Sequence, residues 1–333
     1  MFDCACCTWF FTALGFLIVL KLLLEQLRIG RLVEKHVLIT GCDSGFGFWL
    51  ALKCLRNGMP VFAGCLTEKG EEELKKVTAG LPGKLVTIRM DVTKGESVAK
   101  ALEIVKQQLN GRGLWGLVNN AGIIGNYFMD DFLTVEDYQR VFDVNSLGVI
   151  RVTHAFKQLV KKTKGRIVNI ASIYGRIPGP GLGPYAASKF AVEAYTDTLR
   201  LELKPYKVGV HLLEPGYFKT PLTDEQALAK VVRNVWERAS PELRQEYGAN
   251  YCDKAVELFV KLLGTLCSTR TDYVVDAYYD ALTSRFPRCR YWPGWDSTFF
   301  WIPLSMLPTF IQDWVMSLMV FLSNAPKPEI TTR

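Results

Sequence analysis

Between residues 36 and 213 short apolar runs alternate with amphipathic stretches of helical length, and this alternation constrains the fold more than any other feature. His36–Thr40, Pro60–Cys65, Leu85–Met90, Leu114–Val118, Arg166–Ile170 and Val208–Leu213 each read as a short buried strand. Gly45–Asn57, Glu68–Ala79, Ser97–Leu109 and Val149–Lys161 carry apolar residues at helical spacing between them. Strands that are apolar along their whole length need cover on both faces, so strand, helix, strand repeated in this way predicts an α/β fold with a doubly wound parallel sheet. The 333 residues are 49% hydrophobic and 22% charged, which suits a large buried core and excludes wholesale disorder. No internal repeat or low-complexity linker interrupts residues 33–290, which read as a single domain.

Both ends differ from that domain. Cys4–Leu24 is almost entirely apolar, broken by Lys21, and long enough to span a bilayer. The only early charge is Asp3, unlike a cleaved signal peptide, and Lys21, Arg28, Arg31 and Lys35 all follow the apolar run. Residues 1–28 therefore read as an uncleaved N-terminal membrane anchor with the remaining chain on the cytoplasmic side; the competing reading is an apolar helix lying against the domain. Cys4, Cys6 and Cys7 sit where acylation is conceivable, while Cys42, Cys54, Cys65, Cys252, Cys267 and Cys289 have no metal-like spacing and read as reduced, mostly buried side chains. Residues 291–333 form an aromatic-rich C-terminal tail with Trp292, Trp295, Trp301, Phe310 and Trp314, suited to core packing, a lid or a second membrane contact. The net charge of +7 is scattered and accompanies no nucleic-acid-binding motif, so no nucleic-acid partner is expected. A homodimer is compatible with the sequence.

Chemistry concentrates after the strands. Gly41-Cys42-Asp43-Ser44-Gly45-Phe46-Gly47 joins the first strand to the first helix. Glycines there permit a tight turn and a close backbone approach to a pyrophosphate, which the free N–H groups and positive end of the helix would hold, as in Rossmann-type domains. Asn119-Asn120-Ala121-Gly122 follows the fourth strand; on its own it is also an ordinary polar turn. Ser172 follows the fifth strand, and Tyr185 and Lys189 lie four apart at the head of a helical pattern running to about Lys204, hence on one face. A cation beside a phenol favours the phenolate, so Tyr185 can exchange a proton with a carbonyl or hydroxyl oxygen that Ser172 holds. Taken alone, the Tyr and Lys also fit an unremarkable surface helix. Three histidines, His36, His154 and His211, read as structural; no metal cluster is visible, and Asp130-Asp131 reads as a solvated loop.

In this order, and with thirteen residues from Ser172 to Tyr185, these motifs resemble the short-chain dehydrogenase/reductase family over residues 35–290. The resemblance implies a catalytic set of Asn145, Ser172, Tyr185 and Lys189, with Asn145 supporting the lysine through a water. It implies cofactor contacts at Gly41, Asp43, Ser44, Gly45, Phe46 and Gly47, at Asp91 and Val92 for adenine, at Asn119, Ala121 and Gly122, at Tyr185 and Lys189, and at Pro215, Gly216 and Thr220 over the nicotinamide. Asp43 and the absence of a basic residue before Gly45 favour NAD over NADP, with Glu68 helping and Lys69 opposing. Gly113–Gly122, Cys65–Glu68 and Glu214–Thr220 further resemble the microsomal retinol and hydroxysteroid dehydrogenase branch. That resemblance implies an NAD-dependent enzyme of the endoplasmic reticulum membrane acting on a lipophilic small molecule, a retinol or a 3α-, 17β- or 11β-hydroxysteroid. Residues 217–250, charge-rich from Pro221, would then be a substrate-side insertion. An NADPH-dependent membrane lipid ketoreductase is the alternative; it should carry a basic residue near 44 or 66, where Ser44 and Leu66 stand. A non-catalytic membrane scaffold would not need the full set of four residues.

Overall fold

A computed structural model describes residues 4–329, except for the side chains of residues 4–8, 10, 11, 14, 18 and 22. Seven strands, β1 (Val37–Thr40), β2 (Val61–Cys65), β3 (Leu85–Arg89), β4 (Gly116–Asn119), β5 (Arg166–Ile170), β6 (Gly209–Leu213) and β7 (Arg290–Tyr291), form one parallel sheet in the order β3-β2-β1-β4-β5-β6-β7. Every neighbouring pair is parallel, so this is the doubly wound arrangement expected from the alternation. The winding reverses between β1 and β4, which opens a crevice at their carboxyl ends.

Successive strand residues feed opposite faces. Val37, Ile39 and Val118 pack with Leu50, Leu55 and Tyr278 of helices Gly45–Arg56 and Asp272–Thr283. Leu38, Leu117 and Ile167 pack with Val105, Phe156 and Leu199 of helices Gly95–Leu109, Gly148–Thr163 and Gly183–Leu203. Each fully buried aliphatic side chain contributes about 1.5–3 kcal/mol, so both layers are required to hold the sheet.

Three features differ from the sequence reading. The fourth strand begins at Gly116 rather than Leu114, because Leu114 N–H is taken by Leu159 O (3.0 Å) in the turn that precedes the strand. A seventh strand, at the start of the aromatic tail, pairs Arg290 with Leu212 and Tyr291 with Leu213. The chain between β6 and β7 is also more helical than the assigned insertion, with Glu225–Glu237 and Pro241–Tyr247 followed by Tyr251–Leu266 and Asp272–Thr283.

The first helix, Cys4–Glu25, leaves the amino-terminal edge of the sheet, where Ile29 N–H donates to Thr283 O (2.8 Å) and Arg285 N–H donates to Leu27 O (2.7 Å). Trp9, Phe16, Leu17, Val19 and Leu23 are exposed on it. Among the described residues no helix is long and apolar enough to cross a membrane; part of the anchor assignment, including the side chains of Cys4, Cys6 and Cys7, lies outside them. The tail divides: Trp301, Ile302 and Leu304 are buried, whereas Phe310, Trp314 and Phe321 of helix Thr309–Leu322 are exposed. The remaining cysteines are free, all buried except Cys289.

Candidate active site

The turn after β1 is shaped for close backbone approach. Gly41 has φ +69°, and a Cβ there would stand 2.8 Å from Ala121 Cα; Gly45 has φ +64° at the head of its helix. That helix aims its amino end at the crevice, with Ser44 extended just before it. Gly41, Asp43, Ser44, Gly45 and Phe46 line a cavity of about 780 Å³, and Ala121 and Gly122 face them across it. A turn with no Cβ at Gly41 and Gly45, beside a free helix amino end, fits a pyrophosphate, so the residues present suit a dinucleotide. Gly47 does not line the cavity. A Cβ there would meet Asn120 Nδ2 and stand 2.5 Å from Gly41 O, so this glycine lets the helix pack beneath the turn.

Asp43 is built into the rim. Its Oδ2 accepts from Leu66 N–H (2.8 Å) and its Oδ1 from Thr67 N–H (2.8 Å) and Thr67 Oγ1 (2.7 Å), latching the glycine turn to the end of β2. Gly70 makes room for it, since a Cβ there would stand 2.5 Å from Asp43 Oδ1. Lys189 is the only Lys or Arg among the described residues that line the cavity. Arg89, at the end of β3, is ion-paired with Glu71 at 2.7 Å. Asp91 and Val92 line the crevice beyond β3, with Asp91 Oδ1 accepting from Thr93 N–H (2.9 Å) and Thr93 Oγ1 (2.7 Å).

Asn119 is placed elsewhere than the cofactor role assumed. Its side chain is buried between β4, β5 and helix Gly148–Thr163, donating to Thr153 Oγ1 (2.9 Å) and Asn169 Oδ1 (2.8 Å), and it does not reach the cavity. Its neighbour Asn120 lines the cavity, donates to Thr40 O (2.9 Å) and Gly41 O (3.1 Å), and accepts from Tyr278 OH (3.1 Å). Asn120 therefore holds the glycine turn in shape, a role the sequence reading missed.

Ser172, Tyr185 and Lys189 converge where the crevice deepens, and all three line the cavity. Ser172 Oγ accepts from Tyr174 N–H (3.3 Å), and Ser172 lies close enough to the Tyr185 phenol to favour its ionised form. Lys189 Nζ lies 5.5 Å from the centre of the Tyr185 ring and donates to Ile170 O (3.1 Å). Asn145, in a widened helical turn at Asp143–Leu147, donates to Ile123 O (2.9 Å) and Ser188 Oγ (3.0 Å) and accepts from Ile123 N–H (2.9 Å). It stands beside the lysine across Gly122, whose added Cβ would be 3.3 Å from Asn145 Oδ1 and 3.7 Å from Lys189 Nζ.

The electrostatics differ from the expectation of an acidified phenol. Burial pushes Tyr185 up to about 12 despite the Ser172 hydrogen bond. Burial also lowers Lys189 to about 8, opposed by the charge of Glu193. In the protein alone Tyr185 is thus a neutral phenol, because desolvation outweighs the lowering effect of Ser172.

Pro215, Gly216 and Thr220 line the cavity after β6. A Cβ at Gly216 would collide with the carboxylate of Asp296, which accepts from Tyr217 N–H (2.9 Å) and ties this loop to the tail. Beyond Tyr185 the same cavity becomes an apolar chamber walled by Phe128, Leu182, Phe259, Leu263, Trp301 and Met319. Helices Tyr251–Leu266 and Thr309–Leu322 supply much of that wall, the first beyond the insertion assigned to residues 217–250 and the second within the tail read as a lid or a membrane contact. A hydrogen-bonded pair, Tyr174 and Tyr217, stands between the chamber and Tyr185. Asp130 and Asp131 are exposed yet not idle, accepting from Tyr138 OH (2.6 Å) and Tyr247 OH (2.5 Å).

Comparison with known proteins matches this geometry to one family. The short chain dehydrogenase family model matches residues 35–230. The chain is 43% identical to 17-beta-hydroxysteroid dehydrogenase type 6 of Bos taurus over 322 residues, 96% of this chain and 98% of that protein. It is 43% identical to retinol dehydrogenase 16 of Rattus norvegicus over 314 residues, 93% of this chain and 95% of that protein. A short chain dehydrogenase/reductase from Burkholderia phymatum in complex with NAD, 24% identical, shares the fold with a TM-score of 0.62 over 78% of this chain and 88% of its own.

Proposed function

The chain belongs to the short chain dehydrogenase family and is an oxidoreductase, and from that premise we propose that it transfers hydride between NAD(H) and a lipophilic alcohol or its carbonyl counterpart, a retinol or a hydroxysteroid. The observation that carries this reading is a single cavity in which a polar crevice and an apolar chamber meet at Tyr185, Ser172 and Lys189. When bound, the oxidised nicotinamide supplies the hydride acceptor. Ser172 Oγ holds the substrate oxygen; Tyr185, after giving up its own proton, takes the substrate's in oxidation as phenolate and returns it in reduction as phenol. Lys189 as ammonium favours the phenolate, and Asn145 can share a water with it. Incubating the enzyme with NAD and a panel of retinols and hydroxysteroids, while following absorbance of reduced cofactor, tests the reading. Turnover of at least one of these classes is expected; turnover only of short polar alcohols would overturn it.

For the cofactor, the carboxylate of Asp43 at the rim and the absence of an Arg or Lys other than Lys189 among the described cavity-lining residues favour a free ribose hydroxyl over a 2′-phosphate. Asp43→Asn should lower the kcat/KM preference for NAD over NADP about tenfold, the equivalent of about 1.4 kcal/mol of lost repulsion, while keeping one of the two acceptor oxygens of the latch. An unchanged ratio would remove Asp43 from cofactor selection.

We also propose attachment to the endoplasmic reticulum membrane through the N-terminal helix, with the catalytic domain on the cytoplasmic side. The exposed apolar residues of Cys4–Glu25 and the basic residues that follow support this reading. Deleting residues 1–25, which spares the pairing of Leu27 and Ile29, should move the protein from the membrane pellet to the supernatant. Retention in the pellet would assign the attachment to the exposed aromatics of the tail.

A further inference from the structure

We propose that the amino-end face of the sheet is a docking surface for an anionic phospholipid membrane. The proposal rests on the membrane attachment read above and adds which face of the domain meets the lipid. Because all seven strands are parallel, the connections that enter them lie together at one edge of the sheet. Hydrogen bonds join neighbouring entries into one surface. Val61 N–H donates to Lys84 O (2.9 Å), Trp115 N–H to His36 O (2.9 Å) and Gly209 N–H to Gly165 O (3.0 Å).

Those entries are basic. Lys35 precedes β1, Lys84 β3, Arg112 β4, Lys164 β5, Lys204 and Lys207 β6, and Arg285 β7. All are exposed except the half-buried Lys35, and none forms an ion pair among the described residues. Glu34 is the only acid in the connections that enter strands. The connections leaving the carboxyl ends have the opposite balance, with Asp43, Asp91, Asp130, Asp131, Glu214 and Asp224 against Lys94, Arg176 and Lys219. Adjacent strands stand about 4.8 Å apart, inside the screening length of about 8 Å at physiological salt. Cations on neighbouring entries therefore repel one another in the free protein, and an anionic surface relieves that repulsion.

Two further observations select a lipid surface as the occupant. Exposed Val33, Tyr206 and Phe286 stand among these cations, with Lys161 Nζ 3.6 Å from the centre of the Tyr206 ring. Headgroup phosphates take the charge of such a surface, and the bilayer interface takes its apolar tips. The helix Cys4–Glu25 also leaves the domain here, since Leu27 and Ile29 pair with Arg285 and Thr283. The helix and the basic face thus address one bilayer, the helix meeting its apolar part and the face its headgroups. A hollow lined by His36, Lys84 and Arg112 offers a phosphate a seat within the face.

The full chain, mixed with vesicles of phosphatidylcholine alone or with about 30% phosphatidylserine, tests the proposal by amide hydrogen exchange. Residues 110–115 and 204–208 should exchange at least about fivefold more slowly on the phosphatidylserine vesicles, and residues 120–134 at an unchanged rate. High salt should abolish the protection. So should Lys164→Glu, Lys204→Glu and Lys207→Glu combined, with turnover kept, since these exposed residues lie at the opposite end of the sheet from the cavity. Equal exchange on both vesicles by protein that sediments with both would overturn the proposal. Protection of residues 120–134 instead would overturn it too, as would protection by poly(A) RNA but by neither vesicle. Failure to sediment with neutral vesicles would count against anchoring by the N-terminal helix, and the phosphatidylserine dependence of exchange would still decide the role of the face.

Discussion

Tyr185→Phe should lower kcat at least a thousandfold while leaving NADH affinity within about threefold of the parent. The substitution removes one hydroxyl and keeps the ring that packs against Tyr174, with centroids 6.3 Å apart. The proton of the substrate oxygen then has no acceptor at the right place. Ser172 is a poor substitute, because its hydroxyl lacks an adjacent cation and already accepts from Tyr174 N–H. Single-turnover kinetics with fluorescence titration in parallel would separate lost chemistry from lost binding. Retained turnover would remove Tyr185 from proton transfer; loss of both quantities together would point to collapse of the pocket.

A smaller but still large effect, on binding rather than chemistry, is expected from Gly47→Ala. The added Cβ would stand 2.5 Å from Gly41 O and press on Asn120 Nδ2, the donor that holds both Thr40 O and Gly41 O. Neither contact can be relieved by rotating a flexible side chain, since one is backbone and the other is fixed by three hydrogen bonds. The helix and the turn must separate, at about 1–3 kcal/mol, and the cradle opens. NADH affinity should fall at least tenfold with a lower melting temperature. Gly95→Ala is the matching control: nothing lies within 4 Å of an added Cβ at the head of its helix, and the change should be neutral or slightly stabilising. Equal NADH affinity in Gly47→Ala and the parent would show that the close approach is not needed.

The sheet was legible because its signal is local: short buried runs and helical periodicity need no knowledge of what lies opposite. Strand β7 was not, since two residues carry no period. Arg290 is a charged residue that reads as exposed until its partners Glu193, Glu214 and Asp197 are in place from distant parts of the chain. The exchange of roles between Asn119 and Asn120 was within reach of the sequence. Asn119 has the parity of Leu117, which packs under helix Gly148–Thr163, and Asn120 that of Val118, on the opposite face. Tyr185 and Lys189 were placed side by side by their spacing, but spacing carries no information about desolvation, and burial rather than the ammonium dominates the phenol. The chamber wall from Phe259, Leu263, Trp301 and Met319 comes from elements whose apolar faces could have served core, lid or membrane equally well.

The central claim is that hydride passes directly between a lipophilic alcohol and a nicotinamide held in the crevice beside Tyr185. Retinol and a hydroxysteroid deuterated at the carbinol carbon, incubated separately with the enzyme and NAD, test it by the mass of the reduced cofactor. Recovery of one deuterium in the NADH from at least one substrate, lost when Tyr185 is replaced by Phe, is the predicted result. Formation of the carbonyl product with unlabelled NADH, or full label transfer by the Tyr185→Phe protein at the parent rate, would contradict it.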